Sequence, residues 1–300
     1  MVRPPAWGSP CSGGIQKGCV SVARMTMTMQ PSADPSTGRR MLNKVPEVTI
    51  YFWIIKVMAT TVGETAADFL NGTLNLGLTI TTYIIGSLLI AALCFQFKAR
   101  RYVPGMYWLS VVLISVVGTL ITDNLTDNFG VSLVTTTIIF AVLLAATFAT
   151  WWAREKSLSI HSISTTRREA FYWSAILFTF ALGTAAGDLA AEGLNLGFWI
   201  SALMFGALIA LVALAHYRYR LNAVLAFWIA YILTRPLGAS LGDYLSQPRV
   251  DGGLGLGTVV TSALFLATIL GVVIYLTRTR KDTAVLVPSA GERERQSMSL

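Results

Sequence analysis

The sequence from residue 56 reads Lys56-Val-Met-Ala-Thr-Thr-Val-Gly-Glu-Thr-Ala-Ala-Asp68, which ends in the pattern Gly-x4-Asp. The pattern returns three times, as Gly118-Thr-Leu-Ile-Thr-Asp123, Gly183-Thr-Ala-Ala-Gly-Asp188 and Gly238-Ala-Ser-Leu-Gly-Asp243. The glycines at 63, 118, 183 and 238 are therefore 55, 65 and 55 residues apart. Four copies in register indicate internal duplication.

Each copy lies in an apolar run, and a second run without the pattern follows it. The chain is 54% hydrophobic and 13% charged, whereas soluble domains carry about 25% charged residues. About twenty helical residues cross the 30 Å hydrocarbon core of a bilayer. We therefore predict an all-α integral membrane protein of about eight transmembrane helices in four two-helix repeats, near residues 49–71, 76–97, 104–123, 130–152, 170–190, 196–216, 222–243 and 255–277.

The wider middle spacing coincides with a basic loop, residues 153–169, which we interpret as a cytoplasmic linker. It separates a first four-helix half, residues 41–152, from a second half, residues 170–281, each holding two repeats. Because every repeat has two helices, all four pattern-bearing helices should point the same way. The halves are then parallel repeats, related by an axis along the membrane normal.

The two ends of the chain differ from this pattern. Residues 1–40 are rich in Ser, Gly, Pro and Met and lack a hydrophobic run, so we predict a disordered tail, with Met41 as the hypothetical initiator. We also predict a disordered tail at residues 282–300.

The basic residues predict the orientation. Thirteen of them fall in loops on one side of the predicted helices and only Arg249 on the other, which predicts that both termini are cytoplasmic. The net charge of +8 thus reflects topology, and we expect no nucleic-acid partner. Tryptophans near the predicted cytoplasmic ends suggest an interfacial belt: Trp53, Trp108, Trp151, Trp152, Trp173 and Trp228.

The stretch Lys56 to Asp68, with its three weaker copies, resembles a bacterial repeat family of unknown function whose members are catalogued as membrane-anchored proteins. The resemblance covers residues 41–281 and implies a multi-pass protein of the bacterial inner (plasma) membrane. The fourth copy departs most from the pattern, because Arg235-Pro236 precedes its glycine and Gln247 to Gly253 form an insertion. The family has no established activity, so the resemblance supports architecture more than mechanism.

Acidic residues recur at helical spacing within the pattern-bearing helices. Positions four apart stack on one helix face, and an ionisable group facing lipid costs at least about 2.5–3.5 kcal/mol. We therefore expect these side chains to face a shared interior, as cation-binding or proton-coupling residues: Glu64, Asp68, Asp123, Asp188 and Asp243. The predicted supporting or counter-ion residues are Lys56, Thr60, Thr119, Thr184 and Arg235.

Five acids against Lys56 and Arg235 give a formal charge of −5 + 2 = −3, which would attract a small cation. Carboxylates and hydroxyls suit protons, Na⁺, Mg²⁺, Ca²⁺ or Mn²⁺. Cysteine and histidine are nearly absent from the helices, which disfavours soft metals and haem. We expect no cofactor, and the identity of any bound metal stays open.

Simpler interpretations remain for each group. The aspartates could sit at the interface or cap the next helix, and Asn75 and Asn195 are predicted N-caps of the second helices. The repeated glycines could serve packing alone. Lys56 could pair with Glu64 or snorkel, while Arg235 should pair across helices.

Two functions fit these features. The first is a proton-coupled secondary transporter or exchanger of a small cation, supported by the duplicated halves and the inward acids. The second is a membrane scaffold or sensor whose charged residues only specify helix packing, and oligomers are possible for both. A paired-acid protease is a weaker alternative, since the sequence has no P-loop, nucleophile elbow or HExxH motif. We interpret the chain as a non-enzyme.

Overall fold

The computed structural model describes residues 43–282. The predicted tail at 1–40 and the hypothetical initiator Met41 lie outside this range. Of the predicted tail at 282–300, only Asp282 is described, and it is buried.

Eight long α-helices and no strand occur in this part of the chain. All eight fall on the apolar runs that the sequence predicts. They are α1 Ile50–Asp68, α2 Leu78–Lys98, α3 Pro104–Asp123, α4 Leu133–Glu155, α5 Thr166–Asp188, α6 Phe198–Tyr219, α7 Ala223–Ser246 and α8 Thr258–Thr279. Helices α2 to α8 are each long and apolar enough to cross a membrane; α1 carries Lys56, Glu64 and Asp68 and is not among these seven.

Three of the four pattern-bearing helices end in the same unusual way. A π-helical turn continues α1 (Phe69–Thr73), α3 (Asn124–Asn128) and α5 (Leu189–Gly193). Helix α7 instead runs on to Ser246 and is followed by a 3-10 turn, Arg249–Asp251, within the insertion. π-Helical turns inside helices occur frequently at functional sites, and here each one begins directly after a repeat aspartate.

The predicted N-cap role of Asn75 and Asn195 is wrong. The residues that cap α2 and α6 are Gly77 and Gly197. Both asparagines have positive φ, 51° and 52°, a left-handed conformation that asparagine tolerates better than most residues. They end the preceding helical segment instead of starting the next one.

The four pattern-bearing helices form an inner ring in chain order. Helix α1 packs against α3, α3 against α5, α5 against α7, and α7 against α1. The other four helices lie outside and are largely exposed. Each packs chiefly against the inner helix of the following repeat: α2 on α3, α4 on α5, α6 on α7, and α8 on α1.

The repeat glycines let the inner helices approach closely. A Cβ added at Gly63 would overlap Ser115, and one at Gly118 would lie 2.6 Å from Cβ of Phe180. The same substitution at Gly183 would overlap Arg235, and at Gly238 it would overlap Thr60. In every case the residue met lies three positions before the glycine of the next repeat, so the same contact recurs around the whole ring.

A band of aromatic side chains fills the ring near the N-terminal ends of the inner helices, which we call the basic face. A tryptophan stands ten residues before each repeat glycine, and Trp108, Trp173 and Trp228 are at most 4% exposed. The predicted interfacial belt is therefore wrong for these three and for buried Trp151, whereas Trp152 is exposed. Their indole rings pack against one another and against tyrosines inside the protein.

Two buried polar contacts close the basic face. Lys44 Nζ forms an ion pair with Glu169 at 2.6 Å and donates to the Phe97 carbonyl. Tyr102 donates its hydroxyl proton to Asp282 at 2.6 Å, and the Asp282 carbonyl accepts from the backbone N–H of Glu47. Residues near the two ends of the described range, Glu47 and Asp282, therefore contact each other at the basic face.

Candidate functional site

Arg235 lies at the centre of the inner ring, fully buried on α7. Its Nη2 donates to Glu64 Oε2 at 2.8 Å on α1, to Thr184 Oγ1 at 2.6 Å on α5, and to the Thr119 hydroxyl on α3. Its Nη1 donates to the Thr60 carbonyl at 3.4 Å. One guanidinium therefore bonds to each of the other three inner helices, and it is the counter-ion of Glu64 across helices, as the sequence predicts for Arg235.

Three carboxylates converge next to this guanidinium. Glu64, Asp188 and Asp243 each offer an oxygen within 4.8 Å of the other two. Glu64 and Asp243 are 6% and 8% exposed, and Asp188 is half-buried. They come from α1, α5 and α7, so three separate helices present acids to one point, an arrangement of oxygen ligands that hard cations prefer.

Asp68 and Asp123 lie near these three carboxylates but do not belong to the group. Both are half-buried and close enough to Glu64 for their charges to interact. Neither aspartate makes a side-chain capping hydrogen bond to the turn that follows it. Oδ2 of Asp68 is buried without a hydrogen-bond partner among the described residues, so it is an acceptor that nothing in this part of the chain satisfies.

We call the ends of the inner helices where the repeat aspartates lie the acidic face.

The hydroxyl groups of the three predicted supporting threonines, Thr60, Thr119 and Thr184, make different hydrogen bonds. Thr119 and Thr184 accept from Arg235, and Thr119 also donates to Glu64 at 3.5 Å. The Thr60 hydroxyl instead donates to the carbonyls of Val57 and Thr234, and only its own carbonyl reaches Arg235.

Lys56 lies one turn closer to the basic face than Thr60 and does not pair with Glu64. Its side chain is completely buried, and Nζ lies 4.1 Å and 4.2 Å from the ring centroids of Phe180 and Tyr231. Both simpler interpretations of Lys56, pairing with Glu64 and snorkelling, are therefore wrong. The Glu64 carboxylate pairs with Arg235 instead, and the Lys56 amine is buried inside the ring and does not reach a helix end.

A group of tyrosines in the aromatic band was missed at the sequence level. The hydroxyls of Tyr107 and Tyr172 are hydrogen bonded to each other at 2.6 Å, and both residues are fully buried. Each stands eleven residues before its repeat glycine, where the other two copies have Phe52 and Phe227. Aligning the copies beyond Gly-x4-Asp would have revealed this mixed aromatic position.

Comparison with known proteins supports the repeat. A family model described as Repeat of Unknown Function (DUF347) matches the chain four times, at residues 51–102, 106–157, 171–222 and 226–282. These segments begin 55, 65 and 55 residues apart, since 106 − 51 = 55, 171 − 106 = 65 and 226 − 171 = 55; the repeat glycines have the same spacing. No curated protein matches the chain. No solved structure matches it either.

Proposed function

This chain belongs to the family of proteins built from that repeat of unknown function, and we propose that it is a membrane exchanger of a small hard cation for protons. The observation that carries the proposal is the convergence of Glu64, Asp188 and Asp243 within 4.8 Å in the interior of the ring. Candidate cations are Mn²⁺, Mg²⁺, Ca²⁺ and Na⁺, all of which bind oxygen ligands. Asp68 and Asp123 add negative charge around the site and would attract a cation towards it.

In this proposal Arg235 and the transported ion compete for the carboxylate of Glu64. A cation bound by Asp188 and Asp243 would also attract Glu64, which Arg235 holds at 2.8 Å. Because both positive charges need the same carboxylate, binding of the cation weakens the Arg235–Glu64 pair, and release restores it. Protons that neutralise the carboxylates would weaken cation binding in the same way.

The two ends of the ring differ in access. Near the acidic face, Asp68, Asp123 and Asp188 are half-buried and Asp127 and Glu192 are exposed. Towards the basic face, the aromatic band and the contacts of Lys44 and Asp282 fill the interior. We therefore assign this arrangement to the state open towards the acidic face, and transport requires a second state in which the aromatic band parts.

The orientation follows from the distribution of basic residues. Thirteen of them lie at the basic face and its loops, so we propose that this face is cytoplasmic and that the protein resides in a bacterial inner membrane. Cations would then enter the site from the non-cytoplasmic side in the arrangement described.

Thermal unfolding in detergent with a panel of Na⁺, Mg²⁺, Ca²⁺ and Mn²⁺ tests the binding step. A cation at 100 times its dissociation constant stabilises the protein by about 2.7 kcal/mol, which raises the unfolding temperature. Asp188→Asn and Asp243→Asn should lose this shift, whereas Asp251→Asn, on an exposed turn, should retain it. No shift with any of the four ions would contradict the proposal.

Flux in proteoliposomes tests the exchange itself. We expect the wild-type protein to move the binding cation against protons and Glu64→Gln to lose this flux. Equal flux in both proteins would remove Glu64 from the mechanism.

The scaffold or sensor interpretation is supported by a different observation. Arg235 bonds to three other inner helices, so the network could serve to fix the helix packing alone. In that case Asp188→Asn would change the unfolding temperature equally with and without each cation, and the vesicles would show no flux.

A further inference from the structure

Lys56 contacts none of the three converging carboxylates, although its amine and the Arg235 guanidinium both lie over the ring of Phe180. The side chain is completely buried, its Nζ has no hydrogen-bond partner in the described range, and two aromatic rings are its contacts. The charged and titratable groups found near its amine are Arg235 and Tyr231, both on α7, and Tyr231 in turn interacts with Tyr172 on α5. None of these carries a carboxylate, and Glu64 on its own helix is held by Arg235. A purely structural position of this kind would be filled more cheaply by leucine or methionine.

Hydroxyl groups extend from Lys56 towards the basic face. The Tyr231 hydroxyl is buried and has no hydrogen-bond partner among the described residues, while Tyr107 and Tyr172 share a hydrogen bond one turn further on. The ring of Tyr102 packs against that of Tyr107 at 5.7 Å, and its hydroxyl donates to Asp282 at 2.6 Å. Burial and the Asp282 carboxylate raise the pKa of Tyr102, so this residue stays a hydroxyl that can both accept and donate a proton.

We propose that Lys56 carries the exchanged proton, and that Tyr231, Tyr172, Tyr107 and Tyr102 connect its amine with Asp282 at the basic face. This inference rests on the proposed exchange and names the group that couples protons to it. Burial shifts the pKa of a lysine readily, which is why buried lysines serve as proton acceptors in catalysis.

The proton transfer is balanced at every step. Two links of the chain are hydrogen bonds in this arrangement, Tyr102–Asp282 and Tyr107–Tyr172, and the Tyr231 and Lys56 side chains, which have no hydrogen-bond partner in the described part of the chain, must turn to complete it. Protonated Asp282 then gives its proton to the Tyr102 oxygen, and each hydroxyl passes on its own proton as it accepts the next. The last hydroxyl donates to the Lys56 amine, which becomes an ammonium, and Asp282 is left as a carboxylate. Because Asp282 is buried in this arrangement, it takes up a new proton only in the second state, in which the basic face opens. The tyrosines are unchanged after each passage, and the reverse sequence releases the proton.

Coupling to the cation acts through Arg235. An ammonium at Lys56 repels the guanidinium of Arg235, which favours the position in which Arg235 holds Glu64. The cation then loses one of its three carboxylates. A proton on Lys56 and a cation at the acids therefore exclude each other, as an exchanger requires.

The experiment measures binding and coupling separately on the full-length protein, with Mn²⁺, Ca²⁺ and Na⁺ as probes. Lys56→Met should keep the cation-dependent rise in unfolding temperature. Its flux driven by a pH gradient, and the proton flux reported by an internal pH dye, should fall to the level of protein-free vesicles, because methionine cannot carry a proton.

The double variant Tyr107→Phe/Tyr172→Phe provides a second test that does not alter a charge. Phenylalanine already occupies the equivalent positions as Phe52 and Phe227, so the variant should fold, bind cations and lose most of its proton flux. Tyr83→Phe, on the exposed surface of α2, is the matched control and should behave like the wild type. If Lys56→Met does not fold, the tyrosine variants alone decide the proposal.

The possible failures are distinguishable. A wild-type protein without a cation-dependent thermal shift or flux overturns the proposed exchange. A wild-type exchanger whose Lys56→Met and tyrosine variants remain fully proton-coupled overturns the role of Lys56 and leaves the exchange intact. Loss of cation binding in Lys56→Met would show that the residue is structural, and would also overturn the inference.

Discussion

Replacing Gly118 by alanine probes the close packing of the inner ring. The added Cβ would lie 2.6 Å from Cβ of Phe180 and 3.2 Å from the backbone nitrogen of Ala181, whereas carbon atoms pack best at about 3.5–4.0 Å. Helices α3 and α5 must therefore separate by about 1 Å at this point. The separation also stretches the hydrogen bond from the Thr122 hydroxyl to the Ala181 carbonyl, which is 3.1 Å long.

The magnitude follows from three terms. Overpacking costs about 1–3 kcal/mol, the stretched hydrogen bond costs about 0.5–1.5 kcal/mol, and alanine in place of glycine recovers about 0.5–1 kcal/mol of helix stability. We therefore expect Gly118→Ala to lower the free energy of unfolding by about 2 kcal/mol. Thermal or denaturant unfolding in one fixed detergent measures this difference.

Gly271 supplies the matched control. It lies within α8, and a Cβ added there meets nothing within 4 Å, so Gly271→Ala should stabilise the protein by about 0.5–1 kcal/mol. If Gly118→Ala proved as stable as Gly271→Ala, the inner helices could not be in the contact described.

Three further substitutions test other contacts by unfolding experiments. Arg235→Met should destabilise the protein by about 3–5 kcal/mol, because it leaves a buried carboxylate unpaired, and adding Glu64→Gln should recover part of the loss; strictly additive effects would argue against the pair. Lys44→Met should cost about 3 kcal/mol for the same reason, with recovery in the double variant with Glu169→Gln; unchanged stability would mean that the basic face is not closed by this contact. Asn75→Ala should cost about 1 kcal/mol because of its positive φ, and Asn75→Gly should be close to neutral; equal effects of the two would contradict the left-handed conformation.

Much of the fold could be predicted from the sequence because membrane-length apolar runs and a four-fold pattern are strong local signals. The spacing of Gly-x4-Asp identified the repeats, and the cost of facing an acid towards lipid predicted that the acids turn inwards. It also predicted that Arg235 finds its partner on another helix. These inferences need only helix periodicity and the polarity of the surroundings.

The parts that failed depend on backbone and neighbour geometry. Asn75 was predicted to cap a helix because asparagine favours that position, but it also tolerates positive φ, and the local sequence does not separate the two. Lys56 was expected either to pair with Glu64, because the two stand on one helix face eight residues apart, or to snorkel towards a helix end. Arg235 on a neighbouring helix comes closer, and only the packing of the ring reveals this. Trp108, Trp173 and Trp228 were predicted at an interface because they lie near the predicted helix ends. Their burial depends on which helices form the inner ring, and the local sequence does not show this.

The contact between α8 and α1 also limits how such a protein can vary. Open solenoids gain or lose units at their ends because each unit touches only its neighbours. Here α8 of the last repeat packs against α1 of the first, so deleting one repeat would leave helix surfaces in the ring without their partners. The same closure brings Glu47 and Asp282 into contact, so the chain could be joined there and opened in another loop without disturbing the circle.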